Sequence, residues 1–107
     1  MTRKEKLQAI DPKKVIVFDT ETTGLNIGGY RRDEILSLAV MNLDGDVLFC
    51  DLLKPSERKK WPKAESINGI SLSMVKDKQT IIERRSEIET IFKSAKLYVA
   101  YNADFDL

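Results

Sequence analysis

The sequence predicts an α/β fold in which a three-stranded antiparallel meander is followed by a crossover helix and a parallel fourth strand. Short apolar runs recur in the first half of the chain, at residues 14–19, 34–43 and 46–53. One amphipathic stretch follows at residues 80–94, and a last apolar run occupies residues 97–101. Because crossovers between parallel strands of one sheet are right-handed, the last strand is expected to lie parallel to the first.

The first three apolar runs are predicted to be strands joined by short connections. Between the second and third runs, Asp44 and Gly45 form the two-residue signal of a tight hairpin. The connection at residues 25–32 contains two consecutive glycines and is expected to be a loop. Strands connected in this way run antiparallel and form a meander.

The segment between the third and fourth strands is predicted to be helical. Short helical turns are expected at residues 64–68 and 71–76, interrupted at Gly69. A longer helix is expected from Thr80 to about residue 94, because Thr80 and Glu83 have the spacing of a capping box. Its core-facing side carries Ile81, Ile88, Phe92 and Ala95, with Ile91 beside them. Its solvent-facing side carries Arg84, Glu87 and Lys93.

Length and composition fit one small domain. With 107 residues, of which 42% are hydrophobic, the chain can bury a single core. We assign residues 1–13 to an N-terminal arm and residues 14–107 to the domain. The sequence has neither a signal-peptide pattern nor an apolar run of membrane-spanning length, so a cytoplasmic protein is expected. A net charge of +1 gives no general argument for nucleic acid as a partner.

The residue types exclude several kinds of catalytic site within this sequence. It contains no histidine, which excludes an imidazole base, a histidine metal ligand and a Ser-His-Asp triad. Cys50 is the single cysteine, so an internal disulfide is excluded, and its apolar surroundings predict a buried, reduced thiol. Carboxylates are the remaining clustered groups that can support catalysis.

Asp19 and Glu21 end the first apolar run and are separated by one residue. Alternate residues of a strand share a face, so the two carboxylates are expected to point the same way. A divalent cation would relieve their repulsion, and hard oxygen ligands suit Mg²⁺ or Mn²⁺. Two solvated loop acids are the alternative. The parallel arrangement would also bring Asp106, just beyond the last strand, to the same carboxyl edge of the sheet.

Two motifs resemble those of a known enzyme family. The segments D-T-E-T-T-G-L at residues 19–25 and Y-N-A-D-F-D at residues 101–106 resemble the first two motifs of the DEDD (DnaQ-like) 3′–5′ exonucleases. Residues 33–40 are similar to the family's second strand, and I-N-G-I-S at residues 67–71 is similar to its I-H-G-I-T, with Asn68 where histidine is common. The resemblance implies a ribonuclease H-like fold, here partial.

The resemblance also implies a reaction and its cofactors. Family members hydrolyse phosphodiester bonds with two divalent cations, Mg²⁺ or Mn²⁺, and release 5′-mononucleotides. Here the implied catalytic residues and metal ligands are Asp19, Glu21 and Asp106. Asp104 is interpreted as a solvated second acid, since the family pattern places the ligand at the last acid. The family includes a proofreading subunit of a bacterial DNA polymerase, so a DNA polymerase is a candidate partner.

The implied substrate is the 3′ end of a nucleic acid, with DNA favoured over RNA. The residues expected to meet it are Thr20, Thr22, Thr23, Gly24, Leu25, Asn102 and Phe105. Hydroxyl capping of the turn accounts equally well for Thr23 and Gly24, and packing is the favoured interpretation of Phe105. Phosphate contacts or a solvated loop are the alternatives for the basic residues Arg31, Arg32, Lys54, Arg58, Lys59, Lys60 and Lys63.

One departure from the family pattern qualifies these expectations. The family has a third motif with a fourth carboxylate and a histidine or tyrosine, and no residue here can be assigned to it. We therefore interpret residues 14–107 as the N-terminal part of an exonuclease domain and expect little activity from them alone. An uncovered sheet edge would favour self-association. A non-catalytic module that binds nucleic acid or a polymerase, and a plain α/β domain with incidental acids, are the alternatives.

Overall fold

Four strands form one mixed sheet in the order β3-β2-β1-β4. The computed structural model describes residues 10–24 and 33–101. The strands are β1 (Val15–Thr22), β2 (Ile35–Asn42), β3 (Val47–Leu52) and β4 (Leu97–Ala100). The helices are α1 (Pro62–Asn68), α2 (Leu72–Val75) and α3 (Arg85–Lys93), and a short 3₁₀ turn, Pro12–Lys14, precedes β1. The α/β fold predicted from the sequence is confirmed.

The first three strands form the predicted antiparallel meander. Between β2 and β3 the chain turns at Leu43 and Asp44, and the Gly45 N–H closes the turn by donating to the Asn42 carbonyl at 3.1 Å. Gly45 has a φ of 91°, which a residue without a Cβ adopts at little cost. Asn42 closes this hairpin. Its Nδ2 donates to Oδ2 of Asp46 and its Oδ1 accepts the Asp46 N–H, both at 3.0 Å.

β4 pairs with β1 in parallel, as the crossover rule predicted. The register runs from Val15 opposite Leu97 to Phe18 opposite Ala100. Beyond it, the Tyr101 N–H donates to the Phe18 carbonyl at 2.7 Å. β1 itself continues to Thr22, three residues past the predicted end at Asp19, because β2 still pairs with it there. The carboxyl end of β4 therefore lies beside the middle of β1.

One face of the sheet packs against α3. Its buried cluster consists of Ile16, Leu38, Val40, Phe49 and Leu53. Ile88, Ile91, Phe92 and Ala95 pack against this cluster, which confirms those four predicted core positions. The rings of Phe18 and Phe92 meet edge to face at 5.2 Å, a favoured arrangement of aromatic rings.

The start of the predicted long helix was wrong, although its capping box forms. The Thr80 N–H donates to Glu83 Oε1 at 3.0 Å, and the Glu83 N–H donates to Thr80 Oγ1 at 3.2 Å. Turns nevertheless occupy residues 81–84, and the α-helix begins at Arg85. The spacing of about 3.6 residues that aligns side chains on one side of a helix therefore starts only at Arg85. Ile81 is therefore exposed instead of buried, and Arg84 is half-buried instead of solvated.

Arg84 attaches the start of α3 to β3. Its guanidinium lies 4.5 Å from the centre of the Phe49 ring and forms an ion pair with Asp51 at 2.9 Å. It also pairs with Glu87 at 3.0 Å, and Lys78 approaches Asp51 to 3.2 Å. The Arg84 hydrogen bond holds the pKa of Asp51 below its ordinary value, although partial burial acts in the opposite direction.

A second buried cluster attaches α1 and α2 to the sheet. It contains Leu36 of β2, Trp61, Ile70 and Val75. The Trp61 Nε1–H donates to the Ile70 carbonyl at 2.7 Å, so the buried indole leaves no unsatisfied donor. Gly69 ends α1 in a left-handed conformation, with a φ of 73°, as expected for the residue after a helix. The α1–α2 pair thus packs beside the end of β2 that adjoins Thr22.

The prediction that Cys50 is buried was wrong. Phe49 and Asp51 point toward α3, so Cys50 between them points to the other face of the sheet, where it is exposed. Among the residues that the structure describes, no helix is long and apolar enough to cross a membrane.

Candidate active site

Asp19 and Glu21 lie on the sheet face opposite α3. They are paired with Ala39 and Ser37 of β2, in a part of the ladder without a register shift. Alternation along the strand therefore puts both carboxylates on one face, as the sequence predicted, and both residues are half-buried. Their cross-strand neighbours in β2 are uncharged. We call this pair of residues the acidic face.

The end of β4 lies next to the acidic face. The parallel ladder between β1 and β4 ends at Phe18 and Ala100, so Asp19 is the first residue of β1 beyond it. The chain leaves β4 at Tyr101, which is still hydrogen-bonded to Phe18. Asp106 follows five positions later in the sequence. The last described residue of the second motif, Tyr101, thus lies beside Phe18, one residue before Asp19.

Several predicted site residues lie outside the described residues. They are Leu25, Arg31, Arg32, Asn102, Asp104, Phe105 and Asp106. Within residues 10–24 and 33–101, no group of three or more acidic or cysteine side chains is arranged to bind a metal ion. The described part of the predicted ligand set is the pair Asp19 and Glu21.

The remaining predicted substrate residues fall into two groups. Thr20 alternates with the acidic face and is paired with Leu38, so it lies on the α3 side of the sheet. Thr22, Thr23 and Gly24 form the turn that leaves β1. The Thr22 hydroxyl donates to the Gly24 carbonyl within this turn. The structure therefore groups the turn with the end of β1 and separates Thr20 from it.

The Thr23 side chain is buried and has two partners. Its hydroxyl donates to Asp33 Oδ1 at 2.8 Å and accepts the Glu34 N–H at 2.9 Å. The Thr23 N–H donates to the Glu34 carbonyl at 2.9 Å. These bonds attach the turn to the residues that precede β2, and they agree with the interpretation of Thr23 as a hydroxyl that caps the turn.

Gly24 lies in close contact with Asp33. A Cβ at this position would be 2.5 Å from Asp33 Oδ2 and 2.7 Å from its Cγ. Asp33 has little freedom to retreat, because it accepts the Thr23 hydroxyl and pairs with Arg58 at 3.2 Å. The close approach of Asp33 therefore requires glycine at position 24.

The basic loop after β3 divides into two kinds of residue. Arg58 pairs with Asp33, and its N–H donates to Glu34 Oε2 at 2.8 Å, so it is part of the support of the turn. Glu34 also accepts the N–H groups of Ser56 and Glu57. The other basic residues of this region are exposed: Lys54, Lys59, Lys60 and Lys63.

Sequence reasoning assigned no role to Asp33, Glu34 and Asn68 in supporting the turn. Asn68 Nδ2 donates to the Thr22 carbonyl at 3.1 Å, across 46 positions of sequence. Short polar residues next to a strand or at a helix end have many alternative partners. The resemblance to I-H-G-I-T marked position 68 as unusual, and that was the available signal.

A family model described as exonuclease (RNase T) matches residues 16–107. The DNA polymerase III subunit epsilon of Escherichia coli (strain K12) is 39% identical over 99 residues, which cover 86% of this chain and 40% of that protein.

Two solved structures share the fold. Exonuclease X, solved in complex with 5′ overhanging duplex DNA, has a TM-score of 0.61 and 30% identity, covering 86% of this chain and 51% of its own. Cell-death related nuclease 4 has a TM-score of 0.55 at 13% identity, with 82% and 34% covered, and supports the fold alone. The chain thus spans about half or less of the length of these relatives.

Proposed function

Because the chain belongs to the exonuclease family, whose model matches residues 16–107, we propose that it carries part of the active site of a metal-dependent 3′–5′ exonuclease. The observation that carries this proposal is the parallel pairing of β4 with β1. This pairing brings Tyr101, where the second motif begins, beside Phe18, the residue before Asp19. Asp19 and Glu21 already share one face of β1.

The donor set fits divalent cations. We propose that Asp19, Glu21 and Asp106 bind Mg²⁺ or Mn²⁺, because carboxylates supply the hard oxygen ligands that these ions prefer. Of these, Asp19 and Glu21 are half-buried and share one face of β1. When bound, two such ions activate a water molecule and stabilise the leaving oxygen of a phosphodiester. The three carboxylates would offset most of the positive charge of two such ions.

The turn at the end of β1 is the proposed contact for the 3′ terminus. Thr22 and Gly24 lie one and three residues past Glu21, and the turn is attached to Asp33, Glu34 and Asn68. A fixed turn can orient a terminal nucleotide at little entropic cost. We propose Leu25, Asn102 and Phe105 as further contacts, on the strength of the motif resemblance. The exposed lysines after β3 are proposed phosphate contacts.

The proposed substrate is DNA. Exonuclease X was solved with duplex DNA, and the epsilon relative is a subunit of a DNA polymerase. These two relatives favour DNA over RNA as the substrate and make a DNA polymerase a candidate partner. A cytoplasmic location stays a prediction.

Metal titration of this chain tests the acidic face. We expect calorimetry with Mn²⁺ to show binding to the wild-type chain, and Asp19→Asn to weaken it at least about tenfold, because one of the proposed carboxylate ligands is lost. Asp51→Asn is the matched control, since it removes the same charge from the other face of the sheet. Identical isotherms for the wild type and Asp19→Asn would reject the proposed site.

A nuclease assay on the full-length protein tests the reaction. We expect a single strand to lose 5′-mononucleotides from its 3′ end in Mn²⁺, with no digestion in EDTA. Metal binding without digestion would favour the non-catalytic binding module. Internal cleavage products would contradict the 3′–5′ polarity.

A further inference from the structure

Asn68 connects the end of α1 to the end of β1. We propose that Asn68 is a positioning residue for the acidic face, which fixes Glu21 through the carbonyl of the residue that follows it. The inference rests on the proposed function, because it concerns the same site. Its evidence is the amide geometry of Asn68, the attachment of α1 and the irregular end of β1.

Both ends of the Asn68 amide are hydrogen-bonded. Nδ2 donates to the Thr22 carbonyl at 3.1 Å, and Oδ1 accepts the Ile70 N–H at 2.9 Å. Reversing the amide would put an oxygen against the Thr22 carbonyl and an NH₂ against the Ile70 N–H. The two partners therefore impose one orientation on the side chain.

The α1 side of this connection is firmly attached to the core. Ile70 and Trp61 are buried, and the Trp61 indole donates to the Ile70 carbonyl at 2.7 Å. The N–H of Gly69 donates to the Glu65 carbonyl at 2.8 Å and closes the helix. Asn68 thus extends from a part of the molecule whose backbone has little freedom to move.

The β1 side of the connection is where the sheet becomes irregular. The ladder between β1 and β2 shifts register between Glu21 and Thr22. An irregular ladder constrains the backbone less than a continuous one. Asn68 binds the first carbonyl after the shift, and Glu34 binds the N–H of the next residue, Thr23. The backbone that carries Glu21 is consequently fixed from both α1 and the start of β2.

Loss of this bond should loosen the Glu21 end of the acidic face while leaving Asp19 in the regular ladder. Metal binding requires both carboxylates at a defined spacing, so it should weaken. The expected loss of Mn²⁺ affinity is about fivefold, which corresponds to the net worth of one hydrogen bond.

Asn42 offers a matched control within the same chain. Its amide is also bonded at both ends, to Asp46, and it lies at the opposite end of β2 from the acidic face. Asn42→Ala therefore removes the same chemical groups and costs stability without touching the end of β1.

The test compares Asn68→Ala with Asn42→Ala in this chain. We expect Asn68→Ala to weaken Mn²⁺ binding about fivefold and to accelerate hydrogen exchange at the Thr23 amide. Asn42→Ala should change neither by more than about twofold, which is less than one hydrogen bond is worth. Equal effects of the two variants on Mn²⁺ affinity would identify a general loss of stability and overturn the proposal.

A second variant covers the case in which Asn68→Ala does not fold. Asn68→Asp retains the acceptor for the Ile70 N–H and removes only the donor to Thr22. Because it adds a charge, its readout is exchange at the Thr23 amide, which should accelerate. Exchange at the wild-type rate would overturn the proposal.

Kinetics of the full-length protein separate positioning from substrate contact. A positioning role predicts that Asn68→Ala lowers kcat with little change in the KM for a single strand, whereas a raised KM at constant kcat would overturn it. If the wild-type chain binds no Mn²⁺, the proposed function itself fails. If the wild-type chain binds Mn²⁺ but Asn68→Ala and Asn42→Ala have equal effects, only this inference is rejected and the proposed function stands.

Discussion

The two faces of the sheet surround their carboxylates with different neighbours. On the α3 face, Asp51 pairs with Arg84 at 2.9 Å and with Lys78 at 3.2 Å. On the opposite face, Asp19 and Glu21 share one side of a strand, and their cross-strand neighbours in β2 are Ala39 and Ser37. The acid on the first face attaches a helix to a strand. The two acids on the second lie on one side of β1, beyond the end of its ladder with β4.

The apolar residues of the two faces differ in the same way. Leu38, on the α3 face, is 4% exposed, whereas Met41, three residues later in β2 and on the other face, is 41% exposed. Val99 of β4 is 43% exposed on that face as well. The cluster at the centre of the sheet therefore lies on the α3 face, whereas Met41 and Val99 leave that part of the opposite face open to solvent. This division can be tested by substitutions that act on one face at a time.

The largest expected effect is on catalysis. In the full-length protein, Asp19→Asn should lower exonuclease activity by at least about a hundredfold, because electrostatic stabilisation of the reacting groups dominates such reactions. Asp51→Asn should retain activity within about twofold, because it lies on the α3 face and contributes no electrostatic stabilisation to the reacting groups. The measurement is the initial rate of mononucleotide release in Mn²⁺. Similar losses of activity in Asp19→Asn and Asp51→Asn would contradict a functional difference between the two faces.

The next effect is on stability. Leu38→Ala should lower the free energy of unfolding by about 2–5 kcal/mol, since it opens a cavity in the buried cluster under α3. Met41→Ala should cost less than about 1 kcal/mol, because that side chain is already half in water. Urea unfolding of both variants measures the difference. A cost for Met41→Ala as large as that for Leu38→Ala would show that the sheet is packed around Met41 as well.

The smallest expected effect concerns pH. The Arg84 hydrogen bond lowers the pKa of Asp51 in the folded state, so the ionised form favours folding. The resulting stabilisation is fully present above the ordinary pKa of an aspartate, about 4, and is lost as the pH falls through the lowered folded value. Because the pair is partly exposed, it should contribute less than about 1 kcal/mol.

Asp51→Asn should therefore reduce the free energy of unfolding at pH 6 and have a smaller effect at pH 2.5. Asp77→Asn is the charge-matched control, since Asp77 is exposed and lies in the turn after α2. An equal pH dependence of the two variants would contradict the assignment of this stabilisation to the Asp51–Arg84 pair.

Local patterns predicted the elements of the fold well. The Asp44–Gly45 signal, the break at Gly69 and the apolar positions Ile88, Ile91, Phe92 and Ala95 all correspond to observed features. Each depends on residues within one or two turns of each other, where spacing alone determines which side chains share a face. The same reasoning failed at Ile81, because the capping-box turn is not continuous with the helix.

The sequence by itself determined the strands, the order of the elements and the shared face of Asp19 and Glu21, since alternation in a strand is a property of the backbone. The tertiary structure decided which residues support that face. Asn68 meets Thr22 across 46 positions, and Arg58 meets Asp33 across the whole of β2 and β3. It also decided that Arg84 lies over Phe49 and that Cys50 is exposed. Such pairings depend on how elements that are far apart in the sequence pack against one another. A local pattern of residue types does not determine that packing.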